Sequence, residues 1–212
     1  MPFIISPTIT AFTTDDFNNQ KQRLTNLSSS LHIDLMDGVF APTLSPAIDK
    51  ISLVEGVNND IHLMFQQPSQ HIDELIKLHP TSVIVHYESE GDLIKLAGDL
   101  KASGIKPGLA LLPHTEVSKV TDMLAYFDEV LIFSGKLGYH GGTADLQLTD
   151  KARYLRRTYP DLVISWDGGI NADNITELAK AGVNKFNVGG YIASAADPKQ
   201  TMRILKDRLS SL

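Results

Sequence analysis

The chain has 212 residues, 42% of them hydrophobic, enough for one sizeable core, and is expected to form a single domain over residues 1–212. A formal charge of -6 with scattered lysines and arginines excludes a basic face for nucleic acid, and no apolar run reaches membrane-spanning length. The lack of cysteine removes disulfides, zinc fingers and thiol nucleophiles and fits a reducing compartment.

The N-terminus, Met1–Ile5, lacks the basic start of a secretion signal and reads as the beginning of a first strand, so a cytoplasmic protein is expected. Apolar runs then alternate with amphipathic stretches. Predicted strands are Phe3–Ser6, Leu31–Leu35, Asp60–Met64, Ser82–His86, Pro107–Leu111, Glu129–Phe133, Leu162–Ser165 and Lys185–Val188. Helices are predicted over Asp15–Ser28, Ser69–Leu78, Gly91–Ala102, Thr115–Tyr126, Leu146–Tyr159, Asp173–Ala181 and Asp197–Leu209. The connection Ser45–Val54 is the weakest helix, bracketed by Pro46 and Gly56. Eight strand-helix units of roughly 25 residues fit a small α/β (β/α)8 TIM barrel, whose usual length is about 250 residues. A doubly wound sheet would need fewer units.

In the stretch Leu31–Leu35, His32 and Asp34 share one face while Leu31, Ile33 and Leu35 share the other. A buried imidazole and carboxylate side by side need a partner, and a divalent cation suits both. His62 at the third strand and Asp167 at the seventh add two more donors, all at strand ends that a barrel gathers into one mouth. Such a nitrogen and oxygen set suits Zn²⁺, Fe²⁺, Mn²⁺ or Co²⁺ better than Ca²⁺ or Mg²⁺. The plainer alternative is four separate polar residues, each satisfied by hydrogen bonds. Glycine-rich turns follow strands six, seven and eight: Gly138–Gly142, Gly168-Gly169 and Gly189-Gly190. They suit backbone N–H groups approaching a phosphate, or simply turns that need positive φ. His86 ends strand four and is a candidate for the pocket wall, although an imidazole hydrogen-bonded behind the ligands is the more ordinary role. Trp166 is expected to pack between barrel and helices, Asp37 to form a turn, and Asp15-Asp16 to mark a helix start.

The run His32-Ile33-Asp34-Leu35-Met36-Asp37-Gly38-Val39-Phe40-Ala41-Pro42, with His62-Leu63-Met64, Asp167-Gly168-Gly169-Ile170 and Gly189-Gly190 in order, resembles the ribulose-phosphate 3-epimerase family. The resemblance covers essentially the whole chain, with Ser6-Pro7-Thr8-Ile9 matching the first strand end. It implies metal ligands His32, Asp34, His62 and Asp167, with Asp34 and Asp167 as the acid-base pair. It also implies that Met36 and Met64 line the site, that Thr8 contacts substrate, and that Gly141, Gly142, Gly169, Gly189 and Gly190 hold the phosphate. The chain departs from the family pattern at Thr8 (usually Ser), at Phe133 (usually Met), at Gly190 (usually small and polar) and through the lid Lys136–Thr143.

The implied activity is epimerisation at C3 of a ketose phosphate, D-ribulose 5-phosphate to D-xylulose 5-phosphate, through a 2,3-enediolate. Rival expectations are an epimerase of a related ketose phosphate and a non-catalytic sugar-phosphate binder. A metal-independent barrel lyase or decarboxylase would lean on a Lys in the strand-two motif, where Met36 stands. The partners expected are a small phosphorylated ketose, with neither nucleic acid nor membrane; a homo-oligomer is left open.

Overall fold

A computed structural model describes residues 2–212; Met1, placed at the head of the first strand above, lies outside them. Eight parallel strands close into a barrel in chain order: β1 (Ile4–Thr10), β2 (Ser30–Met36), β3 (Asn58–Met64), β4 (Ser82–His86), β5 (Lys106–Leu111), β6 (Glu129–Phe133), β7 (Val163–Asp167) and β8 (Lys185–Val188). Around them run α1 (Thr14–Leu24), α2 (Ile72–Leu78), α3 (Leu93–Ala102), α4 (Thr149–Thr158), α5 (Ile175–Lys180), α6 (Gly190–Ala193) and α7 (Pro198–Ser210). The expected (β/α)8 architecture is the observed one.

Most elements form where the patterning put them, and the exceptions have local causes. β1 continues past Ser6 to Thr10, because Pro7 sits where pairing passes from β8 (Ile4 to Pro7) to β2 (Thr8 to Thr10) and its missing N–H costs little ladder. The helix predicted to reach Ser28 stops at Leu24, and Asn26 adopts a left-handed φ of 70°. The helix predicted over Thr115–Tyr126 is absent; two short 3₁₀ turns, Val117–Lys119 and Leu124–Tyr126, replace it. The Thr115 hydroxyl that would cap it donates to Glu88 instead, and β-branched Val117, Val120 and Thr121 disfavour helix. In the connection Ser45–Val54 only a 3₁₀ turn, Ile48–Lys50, forms.

Alternation along the strands divides the molecule into two interiors. Leu31, Ile33, Leu35, Val83, Val85, Val130, Ile132, Trp166 and Phe186 face the helices and build the main apolar core. The other face points into the barrel and is largely polar: Ser6, Thr8 and Thr10; Ser30, His32 and Asp34; Asp60 and His62; Ser165 and Asp167; Lys185 and Asn187 are all buried. Ile84, Ala110, Leu131 and Phe133 supply the apolar part of that interior. At its floor Lys185 Nζ lies 2.9 Å from Asp60 Oδ2 and 2.7 Å from Glu129 Oε2. Ser82 donates to Asp60 Oδ1 at 2.6 Å and Ser30 to Asp60 Oδ2 at 3.1 Å. Burial would pull the lysine down, but the two carboxylates outweigh it and hold its pKa above the usual ammonium range.

Candidate active site and metal centre

The register explains why distant residues meet. Thr10 of β1 pairs with Asp34 of β2, and Asp34 pairs with His62 of β3, so all three side chains rise to one level of the barrel. Asp167 of β7, in register with Phe133 of β6 and Asn187 of β8, reaches that level from the other side. His32, two residues below Asp34, points up between them.

His32 Nε2 lies 3.4 Å from Asp34 Oδ1 and 3.9 Å from Asp167 Oδ2; His62 Nδ1 lies 3.0 Å and 3.6 Å from the same two oxygens. One donor atom from each of the four residues falls within 4.8 Å of all the others. Ligands about 2.0–2.2 Å from one ion stand roughly 3.3–3.6 Å apart in a tetrahedron, a spacing that the four imidazole–carboxylate separations of 3.0–3.9 Å bracket. Among the described residues both ring nitrogens of fully buried His32 lack a hydrogen-bond partner, although Nε2 aims at two carboxylates. An orphaned imidazole nitrogen between two acids fits a cation better than it fits a closed hydrogen-bond network.

The two carboxylates differ in character. Burial pushes Asp34 up, but the contacts and charges of His32 and His62 outweigh it and hold its pKa well below the ordinary range. Thr10 also donates to Asp34 Oδ2 at 2.7 Å. Burial and the neighbouring charge of Asp34 push Asp167 up to about 6. Burial lowers His32, but the contact with Asp34 and the charges of both acids leave it raised.

Asp34 and Asp167 open onto a cavity of about 420 Å³ whose wall includes Thr8, Thr10, Met64 and Phe133, and whose far end is made by the lid and the loops after β7 and β8. Of the residues assigned from sequence, Thr8, Met64, Gly141, Gly142, Gly169, Gly189 and Gly190 all line it. Met36 does not: it packs with Ala41 and Met64, its sulfur 3.1 Å from the Thr43 hydroxyl. Nor does His86, which is fully buried behind His62 with the two Nε2 atoms 2.8 Å apart. The glycines serve different needs. A Cβ on Gly169 would meet Ala144 N at 2.0 Å, and one on Gly168 would meet Gly135 N at 2.2 Å, so that pair lets two backbones pack together. Gly141 and Gly142 have open space and only require positive φ, 76° and 109°. The lid is fastened by Thr43, whose hydroxyl donates to Gly138 O at 2.7 Å, and Phe12 stacks edgewise on His140.

Sequence reasoning missed Thr10, Glu88 and the floor triad. The alternation Ser6, Thr8, Thr10 carries the signal for Thr10, but the predicted first strand stops at Ser6, before Pro7. Among the bland readings, Asp37 does build a turn, accepting from Val39 N and Phe40 N at 2.8 Å each, and it also accepts from Gln66 N at 2.7 Å. Trp166 packs between barrel and helices, with Nε1 donating to Gly168 O at 3.0 Å.

The fold and the four-donor cluster define a (β/α)8 barrel with a metal-competent two-histidine, two-aspartate centre at the C-terminal ends of its strands. A profile of the ribulose-phosphate 3-epimerase family matches residues 4–193, and the chain belongs to that family. Relatives named ribulose-phosphate 3-epimerase include one from Mycobacterium leprae, 30% identical over 86% of this chain and 84% of its own length. A second, from Helicobacter pylori, is 32% identical over 91% and 93%. A third, the cytoplasmic isoform of Oryza sativa, is 32% identical over 90% and 89%. In fold, the chain is similar to a solved 3-hexulose-6-phosphate synthase, TM-score 0.74 at 15% identity, covering 97% of this chain and 99% of that one.

Proposed function

We propose that this chain is a metal-dependent 3-epimerase interconverting D-ribulose 5-phosphate and D-xylulose 5-phosphate, with Asp34 and Asp167 as its two proton-transfer groups. One observation carries the reading: two buried carboxylates, from β2 and β7, face one cavity and one shared set of nitrogen donors while their pKa values are pushed in opposite directions. Relatives named for this reaction at about 30% identity support the substrate.

Inversion at a carbon beside a ketone needs a proton taken from one face and another returned to the opposite face. Asp34, held ionised, removes the C3 proton; the C–H electrons form the C2–C3 double bond and the carbonyl π pair moves onto the C2 oxygen, giving the 2,3-enediolate. Asp167, the more readily protonated acid, delivers its proton to C3 from the other face as the double bond reverts to the ketone. The pair ends with its proton exchanged, which is the starting state for the reverse reaction. His32, Asp34, His62 and Asp167 would hold the divalent cation, Zn²⁺, Fe²⁺, Mn²⁺ or Co²⁺, whose charge stabilises the enediolate when bound. Thr8 and Met64 confine the sugar, and the glycine turns at 141–142, 169 and 189–190 take the phosphate, so that only the C2–C3 region changes. The chain acts as one domain over 1–212 in this reading. A cytoplasmic setting is supported by the rice relative's name; among the described residues no helix is long and apolar enough to cross a membrane.

Incubation with D-ribulose 5-phosphate in deuterated water tests the proposal. Xylulose 5-phosphate carrying deuterium at C3 is the expected product. Exchange without inversion, or no exchange at all, would contradict it.

A further inference from the structure

His62 begins a line of buried polar groups that leads from the cavity to the outside of the barrel. Its Nδ1 faces Asp34 and Asp167, and its Nε2 meets His86 Nε2 at 2.8 Å. His86 sits between the rings of Phe40 and Phe133, with centroids 4.8 and 5.7 Å away, and its Nδ1 faces Glu88 Oε2 at 3.5 Å. Neither of those last two buried atoms has a hydrogen-bond partner among the described residues, so each is left free to close on the other across that 3.5 Å gap. The second oxygen of Glu88, Oε1, accepts the Leu112 backbone N–H at 3.0 Å and the Thr115 hydroxyl. Lys151 fixes the loop that carries both donors, its Nζ donating to Leu112 O at 3.0 Å, Pro113 O at 2.8 Å and Thr115 O at 2.8 Å.

Donor and acceptor identities constrain the protons along this line. A backbone N–H can only donate, so the Leu112 end demands an acceptor, and a carboxylate presents acceptors at both ends. Glu88 Oε2 therefore calls for a proton on His86 Nδ1. A neutral imidazole protonated there keeps Nε2 as an acceptor, which the Nε2–H of His62 fills. Whenever His62 is neutral, its lone pair is then left on Nδ1, aimed at the two aspartates. We infer that Glu88 and His86 are positioning residues that set the tautomer of His62, keeping a metal-binding lone pair open at Nδ1.

The inference rests on the reading of His62 as a cation ligand. It assigns roles to Glu88, which the sequence did not single out, and to His86, which the sequence left between the pocket wall and a place behind the ligands. An amide at position 88 reverses the logic. Its oxygen must stay on the Leu112 N–H, so its NH₂ faces His86 Nδ1, which becomes the acceptor. His86 then donates from Nε2 to His62 Nε2, and His62 carries its proton on Nδ1, pointing at Asp34. Every hydrogen bond is satisfied, but the lone pair has been lost, so a cation must displace a proton and refit the whole line.

The test is zinc affinity, measured by direct titration of metal-free wild type, Glu88→Gln, His86→Gln and the double variant His86→Phe/Glu88→Gln beside His86→Phe. Loss of an outer partner of a ligating histidine typically weakens metal binding about 10–100-fold. Glu88→Gln is expected to fall in that range while its urea unfolding without metal stays close to wild type. His86→Gln, whose amide can accept from His62 and donate to Glu88, is expected to stay within a few-fold. In the His86→Phe background the Glu88→Gln change is expected to add nothing, because the line is already cut. ¹⁵N shifts should place a proton on His86 Nδ1 in wild type, with or without zinc, and remove it in metal-free Glu88→Gln. Unchanged zinc affinity in Glu88→Gln together with an unchanged His86 tautomer would overturn the inference. A wild type that binds no zinc, manganese, iron or cobalt would instead overturn the ligand reading, leaving the imidazole shifts to judge the relay.

Discussion

Asp34 and Asp167 carry the same functional group, and their surroundings alone separate their roles. Two histidines and the Thr10 hydroxyl hold the first ionised; burial and the neighbouring charge keep the second closer to protonation. Asp34→Asn or Asp167→Asn removes both a proposed acid-base group and a candidate ligand. Each is expected to lower kcat by at least about 10²–10⁴-fold, checked by a coupled assay of xylulose 5-phosphate formation. His86 makes a separate expectation about stability. Burial lowers its pKa from 6.5 to about 4 in the folded chain, so between those values the unfolded chain binds more protons and stability falls as pH falls. The full effect is worth about 3 kcal/mol. Urea unfolding of wild type and His86→Gln at several pH values should show the wild type losing ground to the variant from pH 6.5 down to 4; parallel profiles would contradict this. The paired His32 and Asp34 were legible in sequence because alternation places them on one face. Glu88 was not, since a glutamate just past a strand end looks like any solvated loop acid until Leu112 and Thr115 are seen to fold back onto it.

At the scale of elements, strands were easier to read than helices. The β2 and β3 sequences announce a polar stripe against an apolar one, whereas the segment 115–126 has helical spacing but surrenders its cap to Glu88. The floor triad was illegible for a similar reason: Asp60, Glu129 and Lys185 lie on three strands, and only the closed register makes them neighbours. Removing one member leaves buried charge without its partner. Lys185→Met is expected to cost about 3–5 kcal/mol at neutral pH by chemical denaturation, with the deficit shrinking towards acid as the stranded Asp60 takes up a proton. The loop after β7 makes a different demand. Gly169 has φ 72° and its missing Cβ leaves room for the Ala144 backbone, so Gly169→Ala must strain the turn and push the lid segment outward. A stability loss of about 1–3 kcal/mol is expected, with a rise in KM for the phosphorylated ketose that exceeds any fall in kcat.

For the whole molecule, the barrel divides its labour by depth. An apolar layer between strands and helices supplies the packing, a charged floor fills the lower interior, and the four candidate ligands occupy the upper rim. That layering lets six consecutive residues of one strand serve three purposes: Leu31, Ile33 and Leu35 for the core, His32 and Asp34 for the centre, Ser30 for the floor. The number of units and the mouth that gathers the four donors were visible in the chain because a closed barrel needs strands at regular spacing. The lid's position was visible too, but not its shape, since Lys136–Thr143 is held by contacts with Thr43 and Phe12. The central claim, that His32, Asp34, His62 and Asp167 share one cation on which epimerisation depends, is tested most directly by stripping the protein with chelator and restoring metal stepwise. One divalent ion per chain should bind, turnover should return in proportion to occupancy, and His32→Ala or His62→Ala should lose both together. Full turnover in rigorously metal-free protein would contradict it.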